Sequence, residues 1–192
     1  MRIFALILVI AVSFVSSSAF AATLNVVGGQ LMGASDVLVD GNLYDVQFLD
    51  GTCIDLYNGC DDVSDFTFQT EASAILASQA LLDQVFVDGP EGNFDSSPYL
   101  TAGCSHATVC HVNFPYDVNP LLGSLSAGTA SNRSASSTNN DSVSVGPSNP
   151  VTFNSSYVGY NYITFAVWTP VPEPSTALLM GLGLAGLASR RR

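Results

Sequence analysis

Two apolar segments at the ends of the chain constrain its fold more than any other feature. The first covers residues 3–12 behind Met1 and Arg2, and the second covers residues 177–188 ahead of three arginines. Four of the five positive charges therefore flank apolar terminal segments, a distribution typical of membrane-targeting signals. Setting both ends aside leaves residues 22–171, enough for one domain with a buried core.

The middle of the chain is strongly acidic. Residues 22–171 hold 15 Asp and Glu residues and a single basic residue, Arg133, and the chain contains no lysine. Because such a surface repels phosphate backbones, we exclude nucleic acid as a partner. The same charge attracts divalent cations or basic partners, and it also keeps an exported protein soluble.

The N-terminal segment has the three parts of a Sec-type signal peptide. A short positive region is followed by an apolar run and then by small residues that end in Ala19-Phe20-Ala21. Signal peptidase accepts only small side chains at the positions of Ala19 and Ala21, so residues 1–21 are predicted to be removed by a cut after Ala21. The apolar run is too short for a permanent membrane helix.

The C-terminal segment combines a proline-rich motif, a short apolar helix and a basic end. Pro172, Glu173 and Pro174 precede residues 175–189, and Arg190, Arg191 and Arg192 end the sequence. A helix over residues 175–189 would be about 22 Å long, shorter than the ~30 Å hydrocarbon core. The arginines act as a cytoplasmic stop by the positive-inside rule, while the prolines hold Glu173 in an extended peptide that a protease can reach.

This tripartite order at residues 172–192 resembles the PEP-CTERM sorting signal of bacterial exported proteins. The resemblance implies recognition by an exosortase, a membrane-embedded cysteine transpeptidase, in a Gram-negative cell that makes exopolysaccharide. The protein would be held transiently in the inner membrane by its C-terminal helix until it is processed, and would then reach the cell surface or be secreted. Residues 43–53 also resemble a segment from a PEP-CTERM subset of unknown function.

The middle, residues 22–171, predicts an extracytoplasmic α+β domain with an antiparallel sheet and one main helix. Asp40-Gly41 between apolar runs predicts a hairpin, with Tyr44, Val46 and Phe48 on one face of its second strand. A helix is expected over residues 70–87, capped by Thr70. Its apolar stripe is expected to consist of Ile75, Leu76, Leu82, Val85 and Phe86.

The remaining segments predict less regular structure. Residues 65–68 read as a short strand, residues 89–120 as a long ordered loop, and residues 143–145 as a weak strand. Residues 157–168 are expected to form the last strand. Since that strand is apolar on both faces toward its end, it should be central in the sheet.

Four cysteines in an exported chain predict two disulfides. Cys53 and Cys60, like Cys104 and Cys110, are close in sequence, so local bridges are the simplest of the three possible connectivities. One alternative is a zinc site of Cys104, His106, Cys110 and His111, and the other is a Cys104 nucleophile that works with His106 or His111. Neither spacing is a standard one, and an oxidising compartment consumes thiols.

The acidic residues offer a weak calcium candidate and no catalytic motif. Asp61, Asp62 and Asp65 could supply three oxygen ligands, but the calcium loop pattern D-x-[DN]-x-[DN]-G is absent, and a solvated turn is the simpler interpretation. The nucleophile-elbow, zinc-protease and P-loop patterns are absent as well. No cofactor is expected.

Three hypotheses for the function follow. The favoured one is a non-catalytic surface or matrix protein sorted by exosortase, with exopolysaccharide or matrix as its partner. The second is an exported hydrolase that acts on polysaccharide or peptide with paired carboxylates. The third is a ligand-binding module that stays anchored in the membrane. A cluster of inward-facing carboxylates in a cleft would favour the second, and an intact tail on the mature protein would favour the third.

Overall fold

In the computed structural model, which describes residues 21–137 and 140–172, a curved sheet wraps around one long helix. Three 3₁₀ turns at Val63–Asp65, Pro98–Leu100 and Val158–Tyr160 join the regular elements. The strands and helices are β1 (Thr23–Val27), β2 (Gln30–Val39), β3 (Asn42–Leu49), α1 (Cys53–Leu56), α2 (Glu71–Gln84), β4 (Asp88–Gly89), β5 (Gly92–Asn93), β6 (Val109–Asn119), β7 (Ser124–Arg133), β8 (Ser142–Pro150) and β9 (Ile163–Pro170).

The main sheet has seven strands in the order β1-β2-β3-β9-β6-β7-β8. Its neighbours are antiparallel except β6 and β9, which run parallel with His111 opposite Ile163. The predicted α+β class with one main helix is confirmed, and the sheet is mixed rather than purely antiparallel. No helix within residues 21–137 and 140–172 is long and apolar enough to cross a membrane.

Helix α2 begins as predicted but buries a different face. The Thr70 side chain accepts a hydrogen bond from the Ser73 amide, and the helix ends at Gln84, three residues before the predicted end. The buried positions are Ala74, Ala77, Ser78, Ala80 and Leu81. Ile75 and Leu76, which were expected in the stripe, are exposed by 40% and 46%. The predicted stripe is therefore wrong in its first turns, because the sheet contacts a face of small residues.

The small face allows α2 to lie close to β7. A Cβ atom added to Gly128 would stand 2.9 Å from the Phe114 ring and 3.1 Å from Ala74 Cβ. The helix contacts β7 and β8 on one side and β2 on the other, so the sheet curls around it. On the β2 side the Gln84 side chain accepts a hydrogen bond from the Leu38 amide at 2.9 Å and donates one to its carbonyl at 2.8 Å.

The β2–β3 hairpin forms as the sequence predicts. Val39 lies opposite Asn42, which leaves Asp40 and Gly41 as a two-residue turn with φ of 49° and 82°. Positive φ at both positions is what a tight hairpin turn requires, and Asp and Gly tolerate it. Val46 and Phe48 of β3 point into the core as expected.

The strand predicted at residues 65–68 is wrong. The 3₁₀ turn Val63–Asp65 is followed by irregular chain that crosses from one face of the sheet to the other. Phe66 packs against Tyr57 on one side, and Phe68 packs against Trp168 on the other. The apolar alternation of this segment arises because Phe66 and Phe68 are buried in two different cores, and not because the segment is a pleated strand.

The loop predicted over residues 89–120 and the single weak strand near residues 143–145 are also corrected. Residues 109–119 form β6, an eleven-residue strand paired with both β7 and β9. Pro115 sits where the β6–β7 register shifts, at a bulge that accommodates a residue without an amide hydrogen. Strand β8 runs well beyond residues 143–145, and β7 is built mostly from Ser, Ala and Gly, so its composition resembles a loop.

Strand β9 is central, as predicted, although it begins at Ile163 and not near residue 157. It lies between β3 and β6, and its residues are buried on both faces through Trp168. One face contributes Ala166 and Trp168 to the core under α2. The other face contributes Phe165 to a smaller core with Tyr57, whose hydroxyl donates to the Ala166 carbonyl at 2.8 Å.

The strand directions define two ends of the domain. At the exit end lie the end of β9 at Pro170, the Asp40–Gly41 turn and the β6–β7 turn at residues 120–123. The Val171 amide still donates to the Leu43 carbonyl there, at 2.9 Å. At the far end lie the end of β7 and the start of β8, next to Arg133 and Asp141.

Replacing Gly33 by alanine should destabilise the domain by about 3 kcal/mol or more. Gly33 has φ of 150°, and a Cβ there would collide with the Val46 carbonyl oxygen on the adjacent strand. Urea unfolding measures the loss. Gly159→Ala is the control, since no atom lies within 4 Å of its added Cβ and it should leave stability nearly unchanged. Equal midpoints for the two variants would contradict the packing described for β2 and β3.

Candidate functional site

An acidic cleft lies beside the far end of β8. Its volume is about 560 Å³, and it lies between α2, the β4–β5 hairpin and the start of β8. Asp83, Asp88, Asp95 and Asp141 line it together with Phe86 and Val143. A concave surface that gathers four carboxylates from separate elements is a candidate ligand site.

Two of these carboxylates hold the loops that form the cleft. Asp88 accepts hydrogen bonds from the amides of Asp95 and Ser96, both at 3.0 Å. The Ser96 amide is the main reason that the pKa of Asp88 lies below its ordinary value. The Asp141 carboxylate accepts from the Arg133 amide at 2.6 Å and so closes the connection between β7 and β8.

Asp95 is the carboxyl group least suited to being ionised. Burial raises its pKa first, and the adjacent charge and hydrogen bond of Asp141 raise it further, with a contribution from the charge of Asp88. Two carboxyl groups in contact share a proton more readily than they both ionise. Asp95 is therefore able to give up or take a proton at a higher pH than an ordinary aspartate.

A second cleft of about 350 Å³ shares Asp95 and Asp141 with the first. Arg133 lines this second cleft, and its Nε atom is buried without a hydrogen-bond partner among the described residues. The two clefts thus place the carboxyl pair beside the one cation of residues 22–171. The arrangement is polar and bears both signs of charge, with a negative excess.

The weak calcium candidates serve a local structural role. The Asp65 carboxylate accepts from the amides of Asp61 and Asp62 and from the side chain of Asn58, at 3.0–3.2 Å. Asp62 accepts in turn from the Ser64 amide at 2.8 Å, which completes a capping box around the turn. These hydrogen bonds lower the pKa of both Asp62 and Asp65. The three aspartates thus form a turn stabilised by backbone amides.

The four cysteines pair as the simplest interpretation of the sequence suggests. Cys53 lies at disulfide distance from Cys60, and Cys104 lies at disulfide distance from Cys110. The alternative zinc set and the cysteine nucleophile are therefore not formed, because both of their thiols are engaged. Within the described part of the chain, no group of three or more His, Cys, Asp or Glu side chains is arranged to hold a metal ion.

The two histidines lie on either side of an aromatic ring. His106 and His111 each meet the Tyr162 ring edge-on, with centroids 6.2 and 5.9 Å apart. His111 shares a hydrogen bond of 2.8 Å with Ser131. Burial lowers the pKa of His111 first, and the charges of Arg133 and His106 add to this, so the ring is neutral at neutral pH. We assign the pair a packing role.

The predicted sorting residues lie at the limits of the described structure. Ala21 and Pro172 are both exposed, and they are the first and last described residues. Ala19, Glu173, Pro174 and the three terminal arginines lie outside the described residues. The structure therefore describes the predicted domain, residues 22–171, apart from residues 138 and 139, while most of the predicted sorting residues lie outside it.

Comparison with known proteins decides what the C-terminal segment is. Residues 170–192 match the family model described as the PEP-CTERM protein-sorting motif. The chain carries a PEP-CTERM motif. The match starts at Pro170, the last residue of β9, so the motif follows the folded domain without a spacer. Its presence supports an exported protein that exosortase sorts. No curated protein sequence and no solved structure matches the chain.

Sequence reasoning missed the acidic cleft altogether. Asp88, Asp95 and Asp141 come from three separate segments, and in the printed sequence they are indistinguishable from the other acidic residues. The one available signal is Asp88-Gly89-Pro90, a turn sequence that directly follows the predicted helix over residues 70–87. The PEP-CTERM motif, by contrast, is continuous in sequence and could be found without any structure.

Replacing Asp95 by asparagine should stabilise the domain near neutral pH and have little effect in acid. Because the folded-state pKa of Asp95 is raised, its protonated form contributes stability fully below the unfolded pKa of about 3.9 and loses it as pH rises through the folded pKa. Thermal unfolding at about pH 3 and pH 7 measures this difference. Glu91→Gln, an exposed acid on the β4–β5 turn, is the control. An equal shift at both pH values would contradict the carboxyl pair.

Proposed function

We propose that this chain is an exported, non-catalytic protein of the cell surface or the extracellular polysaccharide matrix, delivered there by exosortase. The observation that carries the proposal is the PEP-CTERM motif at residues 170–192, which begins where the last strand of the domain ends. A signal peptide over residues 1–21 would bring the chain across the inner membrane. Exosortase would then separate the domain from its tail.

The domain is built to survive loss of the tail. Strand β9 is fixed between β3 and β6, and the last backbone bond of the domain is donated by Val171 to Leu43. Cleavage within or after the motif would therefore release a folded domain and not a frayed one.

The covalent and electrostatic features of the domain suit an extracellular location. Two short-range disulfides close its loops, as is common where the compartment is oxidising. The strong acidic excess keeps a released domain soluble and repels other copies of it. Basic or cationic matrix components are the partners that this charge favours.

Replacing Pro172-Glu173-Pro174 with three alanines should leave export unchanged and block processing. The extended recognition peptide is lost, and alanine lets the apolar helix grow backward from 15 to 18 residues, about 27 Å, closer to a full span. The variant should therefore accumulate in the inner membrane of a host with exosortase. Fractionation and intact mass measure this, and in every form the mature chain should begin at Ala22.

Pro90 and Glu91 provide the matched control. They form the other Pro-Glu pair of the chain, and both are exposed on the β4–β5 turn. Pro90→Ala with Glu91→Ala should be processed and released like the wild type. Deleting Arg190, Arg191 and Arg192 should act differently, because the chain loses its cytoplasmic stop and slips through the membrane. Normal processing of the triple-alanine variant would sink the proposal, and an intact tail on the mature wild-type chain would favour a permanently anchored binding module.

An exported hydrolase is the second candidate, because the acidic cleft contains Asp95, whose pKa is raised, beside a second carboxyl group. Asp95 and Asp141 touch, however, whereas the two carboxyl groups of a glycosidase stand about 5 Å or more apart. With this geometry, the catalytic role open to the two carboxyl groups is general acid–base catalysis on a bound peptide or sugar.

Activity assays separate the two candidates. The released domain is incubated with polysaccharide and peptide panels, and newly formed reducing ends and amino groups are measured. We expect no turnover. Turnover that Asp95→Asn and Asp141→Asn abolish, and that Glu91→Gln retains, would replace the non-catalytic proposal with the hydrolase.

A further inference from the structure

We propose that the turn between β6 and β7 touches the lipid surface of the inner membrane through Leu121 and Leu122 while the C-terminal tail is intact. This inference rests on the proposed function, since it requires the tail to hold the domain at the membrane. The contact would fix the orientation of the domain at the membrane before exosortase acts.

The two leucines are unusually exposed for their size. Leu121 is 94% exposed and Leu122 is 77% exposed, at the tip of a turn between Asn119 and Ser124. Adjacent large apolar side chains at a loop tip gain nothing from packing in the free domain. A lipid interface is an environment in which this apolar surface would leave water.

The backbone amides at the tip of the turn already have hydrogen-bond acceptors, as a less polar environment requires. The Asn119 side chain accepts hydrogen bonds from the amides of both Leu121 and Leu122, at 3.1 and 3.2 Å. Pro120 has no amide hydrogen. Unpaired amides are costly where water is scarce, and these are paired within the turn. The same bonds hold the turn in one shape, with the leucines outermost.

The tip lies at the end of the domain from which the tail departs. Strands β6 and β9 are parallel, with His111 opposite Ile163, and continuing that register brings Val118 about level with Pro170. The residues from Pro172 to Ser175 span at most about 14 Å when extended, and the apolar segment begins there. The exit end is therefore held close to the lipid headgroups whenever the apolar segment is in the membrane.

The N-terminal tether reaches the same end. Strand β1 is antiparallel to β2, whose last residue, Val39, lies at the exit end, so the start of β1 points toward that end. During export, before signal peptidase cuts, a second membrane segment would thus pull on the same end of the sheet. Because the N-terminal and C-terminal membrane segments both extend from the exit end, this end is the one that we assign to the membrane.

The charges nearby decide which lipids fit and how much of the domain can touch them. Asp40 and Asp117 are exposed at the exit end, so the end as a whole is not an apolar face. Anionic headgroups would repel these carboxylates, whereas zwitterionic headgroups would not. The contact is therefore limited to the projecting turn and favours a zwitterionic surface.

The test places a tryptophan at the tip. The exported chain with an intact tail is purified from a host without exosortase and reconstituted into phosphatidylcholine vesicles with brominated acyl chains. Leu121→Trp emission should be quenched about twofold, with a blue shift, as for an indole at the interface. Native Trp168 is only 5% exposed, and its signal is subtracted with the parent chain.

Val158→Trp is the matched control. Val158 is 96% exposed, and the residues around it are bonded beyond the far ends of β3 and β9, where the Ser155 amide donates to the Gly51 carbonyl and the Ser105 amide donates to the Asn161 carbonyl. Its substitute should therefore not be quenched. A chain that floats with the vesicles but leaves Leu121→Trp unquenched overturns this inference alone. A chain that does not float overturns the membrane role of the tail as well.

A second variant separates lipid from protein as the partner. Leu121→Ser with Leu122→Ser keeps the Asn119 bonds, so it should fold, and the absence of free thiols under denaturing conditions checks this. In vesicles the double-serine chain should still float through its tail, and a fluorophore on the turn should report water. If Leu121→Trp is unquenched in vesicles but the double-serine chain is processed slowly in cells, the turn contacts exosortase instead, and the lipid proposal falls.

Discussion

The close approach of α2 to β7 is the constraint on which the rest of the structure depends. Gly128 leaves room for the Phe114 ring and for Ala74, and a Cβ there would force them apart. Because the helix lies so near, it contacts β2 and β8 at once, and the sheet must curl to reach both. The cleft at the far end exists because this curl brings the last turns of α2 against the start of β8.

A scarcity of cations explains how the acidic residues are used. With Arg133 as the one basic residue of the domain, carboxylates cannot be neutralised by ion pairs. Asp62, Asp65, Asp88 and Asp141 instead accept hydrogen bonds from backbone amides, and they fix turns by doing so. Such bonds favour the ionised carboxylate. Asp95 is the exception, because it is partly buried next to Asp141 and burial raises its pKa first. Its carboxyl group is therefore a candidate for binding a ligand or a proton.

Strand β9 links the folded domain to the sorting motif. It is the central strand, it borders both cores, and the PEP-CTERM motif begins at its last residue. The acidic cleft is formed by other elements, α2, the β4–β5 hairpin and the start of β8, so sorting and any ligand binding use different parts of one domain.

The sequence alone determined what depends on neighbours along the chain. The Asp40–Gly41 hairpin, the Thr70 cap, the local cysteine pairs and the PEP-CTERM motif are each encoded within a few residues, where steric and hydrogen-bonding rules apply directly. Only the tertiary structure decided the rest. Strands β6 and β7 are held by long-range pairing and by contact with α2, and their Pro115 and small residues resemble a loop in isolation. The cleft joins Asp88, Asp95 and Asp141 across 53 positions of sequence, a proximity created by the curled sheet and by no local pattern.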